Sequence, residues 1–420
     1  MNIGLIGLGD MGKLYAKKFA AAGLSVFGCD LPDRTLELQE ELGPLGIIVL
    51  NNGLEVSAKC DFIFYAVEAE KIKEVVAACA FSTKKGAIVT GMTSVKTPEV
   101  EAFERYLSKD IELIITHSLH GPGFSTKGQK LIVAPHRISA ESYARAIQVL
   151  QLLESEIIEL NDYHQHDQIM ADTQAVTHMG FESMGTAWKN AGTYPWESGA
   201  YVSGIDNVKI LTTLRIFSYK AHIYAGLAIL NPYATAQIIA YAQSESTLFK
   251  MMIQEDEANF RKRIYKARDF VFHEQTNLIL FDDKIMQEFS IGDNQELAKH
   301  NSHLSLLAMV DAWHQLGINP YDNMICQTPP FKLRLGIVEY LFKNEALLED
   351  TIQTALYDKS IRGDDLEFHT AVREWASIIR YKDMEGYKTH FKEAKDFFEP
   401  LLEKGRIQSA LLIKRLSTPI

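Results

Sequence analysis

Two histidines three residues apart, His117 and His120, close an apolar run in the segment IITHSLHGPG, residues 114–123. Histidine titrates near neutral pH and also ligates metals. The pair therefore admits three readings: a metal pair, two structural residues, or one catalytic group beside a neighbour. Metal binding at this spacing needs a helix to bring both rings to one face, and further ligands. Here the pair leaves a strand and enters a Gly-Pro turn, and the nearest other histidines, His164 and His166, fall in what reads as an unrelated linker. Cys29, Cys60, Cys79 and Cys326 have neither metal-ligand spacing nor the density of a disulfide framework. The expectation is that no metal is held here.

The second constellation is NIGLIGLGDMGKLYAKKFAAAG at the N-terminus. Gly7, Gly9 and Gly12 carry the G-x-G-x-x-G spacing, with Leu8, Asp10 and Met11 between them, after an apolar run (Asn2–Ile6) and before a predicted helix (Met11–Ala22). In that context each glycine has a use: a tight turn, close approach to a pyrophosphate, and close packing of helix on strand. The helix N-terminus then offers unpaired N–H groups to phosphate oxygens. Asp30 ends the next predicted strand 18 residues after Gly12, the place of the group that meets the adenine ribose. A terminal Asp repels a 2′-phosphate and leans the residues towards NAD. Arg34, four residues on, meets that phosphate if Asp30 turns aside.

These groups need a scaffold. CDFIFYAVEAEKIKEVVAACA (60–80), GAIVTGMTSVKTPEVEAFERYL (86–107) and IELIITHSLHG (111–121) read as further strand-helix units, with apolar strands like those buried on both faces of a parallel sheet. Loops after such strands emerge at the carboxyl edge, where open α/β sheets bind ligands. Glu68, Ser94 and His117 all occupy that edge. From about residue 162 the alternation stops and long helical patterns follow. The predicted architecture is an α/β Rossmann-type, doubly wound parallel sheet over 1–161, followed by an all-α region: a helical substrate or dimerisation domain over 162–270 and a second helical domain over 271–420.

The second helical stretch echoes the first. THMGFESMGTAWKNAGTYPW (177–196) aligns without gaps to SHLSLLAMVDAWHQLGINPY (302–321), pairing His178 with His303, Met184 with Met309, Trp188 with Trp313 and Pro195 with Pro320. Residues ~270–420 are therefore expected to be a diverged duplicate. One chain then makes within itself the helical pairing that shorter relatives make between subunits. A homodimer is the alternative.

The chain's 420 residues exceed one ordinary core, and its 47% hydrophobic and 23% charged residues are those of a globular protein. A formal charge of −11 argues against nucleic acid or an anionic membrane as partner. The longest apolar candidate, YAGLAIL at 224–230, falls short of the ~18–20 residues that span a bilayer. MNIGLIGLG has no signal-peptide pattern. A cytoplasmic, reduced protein is expected.

Read together, IGLGDMG, TSVKTPEVEAFERYL, HSLHGP, ADTQAVTHMGFESMG, YAGLAILNP and NSHLSLLAMVDAW resemble the prephenate dehydrogenases of tyrosine biosynthesis, most closely the fungal, NADP-linked branch. The resemblance implies oxidative decarboxylation of prephenate to 4-hydroxyphenylpyruvate, with hydride passing to NADP. That reverses the lean of Asp30 towards NAD. It also implies that His117 accepts the proton of the substrate 4-hydroxyl and that Ser94 lies by the nicotinamide and helps orient His117. His178 and Arg215 would bind substrate, with Lys209 and Arg334 competing for the carboxylate. His120 lines the pocket or shapes the loop.

The chain departs from the bacterial pattern in places. Ser118 stands where that pattern has proline, His120 where a small residue is usual, and no tryptophan follows Asn231-Pro232 in NPYATAQ. The rivals are arogenate dehydrogenase, which differs in one substrate side chain, and the 3-hydroxyisobutyrate and 6-phosphogluconate dehydrogenases, whose K-x-x-x-N helix is missing here. From another class, the chain can be read as a catalytically silent NADP-binding regulator.

Overall fold

The computed structural model describes residues 1–123, 125–195, 204–273, 300–322 and 328–417. Cys326, and residues 274–299 of the expected second helical domain, lie outside them. The chain forms two compact units, Met1–Met170 with Leu230–Pro232, and Ala171–Ile229 with Tyr233–Ile420.

The first unit is an eight-stranded sheet in the order β3-β2-β1-β4-β5-β6-β7-β8. Its strands are β1 (Asn2–Ile6), β2 (Ser25–Cys29), β3 (Ile47–Val49), β4 (Phe62–Tyr65), β5 (Ile88–Gly91), β6 (Glu112–Ser118), β7 (Lys130–Arg137) and β8 (Glu156–Glu159). Its longer helices are α1 (Asp10–Ala21), α2 (Thr35–Leu42), α3 (Gly53–Lys59), α4 (Ile72–Cys79), α5 (Thr97–Tyr106), α6 (Ala140–Gln151) and α7 (Tyr163–Met170). Strand side chains alternate between two apolar layers. Ile3, Leu5, Phe62 and Phe64 pack with Tyr15 and Phe19 of α1. Ile63, Tyr65 and Val89 pack with Val76 of α4 and Phe103 of α5. Burial on both faces explains why β4 reads as an unbroken apolar run.

The strand order reverses at β1, whose neighbours are β2 and β4, so the crevice outside the carboxyl ends of β1 and β4 is the topological switch point. One feature differs from the expected parallel sheet. β7 pairs antiparallel with β6, and β8 runs parallel to β7. Only residues 119–129 join β6 to β7, fewer than the dozen or more that a parallel crossover needs, so the chain returns alongside β6.

The second unit is helical: α8 (Val176–Ala191), α9 (Ile205–Phe217), α10 (Ala221–Ala225), α11 (Ala234–Gln254), α12 (Glu257–Phe272), α13 (Leu304–Leu316), α14 (Pro329–Lys343), α15 (Glu345–Tyr357), α16 (Arg362–Arg380) and α17 (Met384–Ser417). The echoing segments form α8 and α13. Each ends at a left-handed glycine, Gly192 (φ 71°) and Gly317 (φ 68°), a conformation in which a Cβ is costly. Their beginnings differ, because His178 lies inside α8 whereas His303 caps α13 with φ 44°. Helix α8 packs on α16, and α13 on α11. A buried bond from Trp375 Nε1 to Thr186 Oγ1, 3.0 Å, ties the first of these pairs. Among the described residues no single helix is long and apolar enough to cross a membrane.

Candidate active site

The glycine turn has the geometry its spacing predicts. Gly7 has φ 103°, and a Cβ there would stand 2.3 Å from the Ala66 carbonyl oxygen. A Cβ on Gly12 would stand 2.1 Å from Gly7 O. A Cβ on Gly9 would meet nothing within 4 Å. Gly7 and Gly12 are thus required by the protein's own packing, while Gly9 borders open space. Gly9 is the N-cap of α1 and offers no side-chain cap, so the first N–H groups of the helix, beginning at Asp10 and Met11, are left to an outside acceptor. This open cradle at a helix N-terminus fits a pyrophosphate.

Asp30 is turned into the protein. Its Oδ2 accepts the Leu8 N–H at 2.7 Å and the Arg34 guanidinium at 3.0 Å, and its Oδ1 accepts the Leu31 N–H at 2.8 Å. With both oxygens occupied and its charge countered, Asp30 is less able to repel an incoming phosphate. The partly exposed Arg34 is brought to the end of β2. Glu68 sits exposed in the turn after β4.

Ser94 lies half-buried in the loop between β5 and α5 and makes no hydrogen bond to a described residue. The loop is held by a fully buried ion pair. Lys96 Nζ donates to Glu99 Oε2 at 2.9 Å and to Gly91 O at 3.1 Å, and Glu99 Oε1 accepts the Thr93 N–H at 2.7 Å. Burial pulls Lys96 down and pushes Glu99 up, and each partner opposes the shift of the other.

His117 is the penultimate residue of β6 and is buried. Burial, and then the nearby basic groups His166, Lys96 and His120, hold it well below its usual 6.5, so its ring is neutral. Its Nδ1 lies 2.8 Å from His166 Nε2, and His166 Nδ1 lies 2.8 Å from Asp167 Oδ1. Asp167 also accepts the Lys96 N–H through Oδ1, and the Thr97 N–H and hydroxyl through Oδ2, each at 2.7 Å. The partner that orients His117 is therefore His166 and not the expected Ser94. His166, read from sequence as part of an unrelated linker, lies in α7 against the carboxyl edge. The one signal in the sequence is the adjacent pair His166-Asp167, a base beside an acid.

His120 is half-buried and separate from this arrangement. Its Nδ1 bonds the Gly121 carbonyl oxygen at 3.0 Å, its Nε2 has no partner among the described residues, and burial lowers its pKa. The Ser118 hydroxyl bonds Tyr15, so the residue that replaces the bacterial proline ties β6 to α1. Among the described residues no group of three or more His, Cys, Asp or Glu side chains is arranged to hold a metal.

In the helical unit His178 is buried in α8 with its ring edge against Tyr224, centroids 4.7 Å apart. Its Nδ1 has no partner among the described residues, and burial, then Arg334, lowers its pKa to about 3. Arg215 donates to the Tyr219 hydroxyl at 3.2 Å. Its two competitors are committed elsewhere. Arg334 is fully buried and donates to the carbonyls of Val176 (2.9 Å) and Thr177 (3.1 Å), packed so close to Gly180 that a Cβ there would stand 2.5 Å from Nη1. Lys209 bonds Asp206 at 3.1 Å and His303 Nδ1 at 2.7 Å.

A switch-point glycine cradle, an arginine at the ribose end and a neutral histidine at the same sheet edge define a nicotinamide-nucleotide-dependent dehydrogenase. Residues 2–151 match the NAD binding domain of 6-phosphogluconate dehydrogenase, and residues 175–418 match a 6-phosphogluconate dehydrogenase C-terminal domain family. The chain is 46% identical to the NADP(+)-type prephenate dehydrogenase of Saccharomyces cerevisiae, covering 99% of this chain and 93% of that one. It thus belongs to the prephenate dehydrogenase family, in its fungal NADP(+)-type branch. A probable prephenate dehydrogenase of the same type from Schizosaccharomyces pombe is 43% identical, covering 99% of this chain and 97% of the relative. Among solved structures, the A. aeolicus prephenate dehydrogenase with hydroxyphenyl propionate and NAD+ aligns at a TM-score of 0.48 and 18% identity, over 62% of this chain and 94% of that one.

Proposed function

We propose that this protein oxidatively decarboxylates prephenate to 4-hydroxyphenylpyruvate in tyrosine biosynthesis, with NADP as the oxidant. The observation that carries the reading is the neutral, buried His117, oriented through Nδ1 at the carboxyl edge of a dinucleotide-binding sheet. The residues that would hold the nucleotide are the Gly7–Gly12 turn with Leu8, Asp10 and Met11, the α1 N-terminus, and Arg34 with Asp30 beside it. Glu68 lies at the same edge, and we assign it a contact there. Once bound, the nicotinamide supplies the acceptor for the hydride that leaves C4 of the substrate ring.

The chain's own part is proton handling and orientation. His117 Nε2 accepts the hydrogen bond of the 4-hydroxyl and takes its proton as the C4 carbonyl develops. As the ring carboxylate departs as CO2, its bonding electrons enter the ring, which becomes aromatic, and the proton returns to the oxygen. No net proton is consumed. A base of this kind contributes about 10²–10⁴-fold. We keep Ser94 as a neighbour of the reacting groups, and His178, Arg215 and His120 as substrate-binding residues. Arg215 is favoured over Lys209 and Arg334 because the donors of those two meet groups of the protein.

The test is purified protein assayed with prephenate or arogenate and with NADP or NAD, following the absorbance of the reduced nucleotide. Reduction should be fastest with prephenate and NADP. Absence of reduction with every pair would remove the enzyme reading, and preference for arogenate would replace the substrate.

We also propose that the helical half after ~270 is a diverged duplicate that pairs with the first half within one chain. The reciprocal packing of α8 on α16 and of α13 on α11 supports this. A monomer by light scattering is the expected result; an obligate dimer would overturn it. A cytoplasmic location belongs to the same reading. Cys29, Cys60 and Cys79 are free and buried, as suits a reducing compartment.

A further inference from the structure

We propose that His166 and Asp167 are positioning residues that fix which nitrogen of His117 carries its proton and that counter the charge His117 acquires when it takes the substrate's proton. The inference rests on His117 being the proton acceptor, and it concerns residues that the family resemblance did not single out.

The argument starts from donors that cannot change. The backbone N–H groups of Lys96 and Thr97 both point at Asp167, one on each carboxylate oxygen, and the Thr97 hydroxyl joins the second. A carboxylate held by backbone N–H groups is the acceptor-only, ionised form. These bonds and the His166 bond outweigh the upward push of burial and leave Asp167 below its usual range. Since Asp167 Oδ1 can only accept, His166 Nδ1 must carry hydrogen across their 2.8 Å contact. His166 is itself fully buried, and burial holds it towards the neutral form, so its Nε2 keeps a lone pair. That lone pair faces His117 Nδ1 at 2.8 Å, so the hydrogen of the neutral His117 ring sits on Nδ1. Nε2 is left as the acceptor. The tautomer of the catalytic ring is thus dictated, two residues away, by backbone amides of the β5–α5 loop.

The same chain of bonds supplies charge. The groups facing His117 are His166, Lys96 and His120, all of which disfavour an imidazolium there. Asp167 is the anion bonded to the histidine pair, whereas Glu99 is bonded to Lys96. A proton arriving on His117 Nε2 makes an imidazolium whose charge is met through His166 by Asp167. Orientation of a general base by a buried carboxylate is a known catalytic device, and here a second imidazole stands between the two. Asp167 also accepts from the loop that carries Ser94, and its own carbonyl accepts from Asn231 Nδ2 at 2.7 Å, so base and loop share one anchor.

The test uses the full chain in three variants, His166→Gln, His166→Ala and Asp167→Asn, with wild type and His117→Asn as references. Glutamine can accept from His117 and donate to Asp167, whereas alanine can do neither. The expected kcat losses are about 10²-fold for His166→Ala and for Asp167→Asn, within the range a general base controls, with Kd for NADP unchanged. His166→Gln should recover about tenfold over alanine through its hydrogen bonds. Loss of the Asp167 anion should also move the acid limb of kcat/KM to lower pH, because the imidazolium loses its counter-charge. A residue that merely supported the fold would move neither this limb nor the glutamine-to-alanine ratio.

Independently of turnover, 15N shifts of His117 in the NADP-bound wild type should report hydrogen on Nδ1 and a lone pair on Nε2. Hydrogen on Nε2, or His166→Ala turning over at the wild-type rate, would overturn the inference. Wild-type turnover in His117→Asn would instead overturn the reading of His117 itself, and the 15N result would still decide the tautomer.

Discussion

His117 and His166 are 49 residues apart in the chain, yet Nδ1 of one lies 2.8 Å from Nε2 of the other, at the carboxyl edge of the sheet. One ring terminates β6 and the other projects from α7. Their contact turns a strand-end histidine into an oriented base, and the first prediction concerns that base.

Replacing His117 with asparagine should lower kcat by about 10²–10⁴-fold, the usual contribution of a general base. NADP binding should survive, because none of the groups assigned to the nucleotide depends on this ring. Steady-state kinetics beside a nucleotide titration separate the two effects. A variant with near-normal kcat would show that the base lies elsewhere.

The pH dependence has a definite sign. His117 acts as a base only when neutral, and burial holds its pKa well below 6.5. As pH falls, kcat/KM should therefore stay level through 6.5 and fall only at more acid values. A limb centred at 6.5 or above would mean that the titrating group is solvated, which His117 is not.

The glycine turn separates folding from binding. Gly12→Ala places a Cβ 2.1 Å from Gly7 O and should lower the melting temperature by several degrees, the effect of roughly 1–3 kcal/mol of overpacking in a chain of this length. Gly9→Ala meets no protein atom within 4 Å, so the fold should melt as wild type while NADP binds more weakly. Equal melting losses for both, in calorimetry without nucleotide, would contradict the open cradle.

Cofactor choice should follow Arg34. Arg34→Ala should raise KM for NADP by about tenfold or more, the scale of one charge-assisted hydrogen bond, and leave NAD nearly unaffected. Releasing Asp30 from its 3.0 Å partner adds to the effect, since the freed carboxylate then faces the 2′-phosphate. Parallel losses with both nucleotides would assign Arg34 to the structure of the β2 end instead.

In the helical unit, Glu182 is fully buried and accepts the Tyr387 hydroxyl, and burial raises its pKa from 4.5 to about 8. Between those values the folded state keeps a proton that the unfolded state releases. This contribution to stability is therefore complete below pH 4.5 and is lost as pH rises towards 8. Glu182→Gln should remove that slope, and denaturant melts at pH 5 and pH 8 measure it. An unchanged slope would mean that Glu182 is ionised in the fold.

Local order made much of the first unit legible in the sequence. The glycine spacing, the strand before it and the helix after it are set by residues within one turn of one another, and Gly7 and Gly12 have the steric demands that their positions implied. The unbroken apolar run of β4 announced burial on both faces. The antiparallel β7 was missed because hydropathy does not carry strand direction, which the short connection after β6 decides. In the helical unit, the motifs around Arg215 and Arg334 look alike as sequence, LRIF against LRLG. They separate only by packing: Arg334 is spent on two backbone carbonyls, whereas Arg215 meets a tyrosine hydroxyl.

The opening pair of histidines shows the same division. By itself the sequence determined that His117 ends a buried strand at a ligand-binding edge and that His120 enters a turn, because strand and turn propensities act over a few residues. It also carried the family, since those motifs are read in order along the chain. Only the tertiary structure decided that His166 and not His120 is the partner of His117, that Asp30 is turned onto Leu8 and Arg34, and that Ser94 has no bond to the base. Hydrogen bonds of this kind join residues tens of positions apart, and their geometry is fixed by how strands and helices stack, which no local pattern encodes.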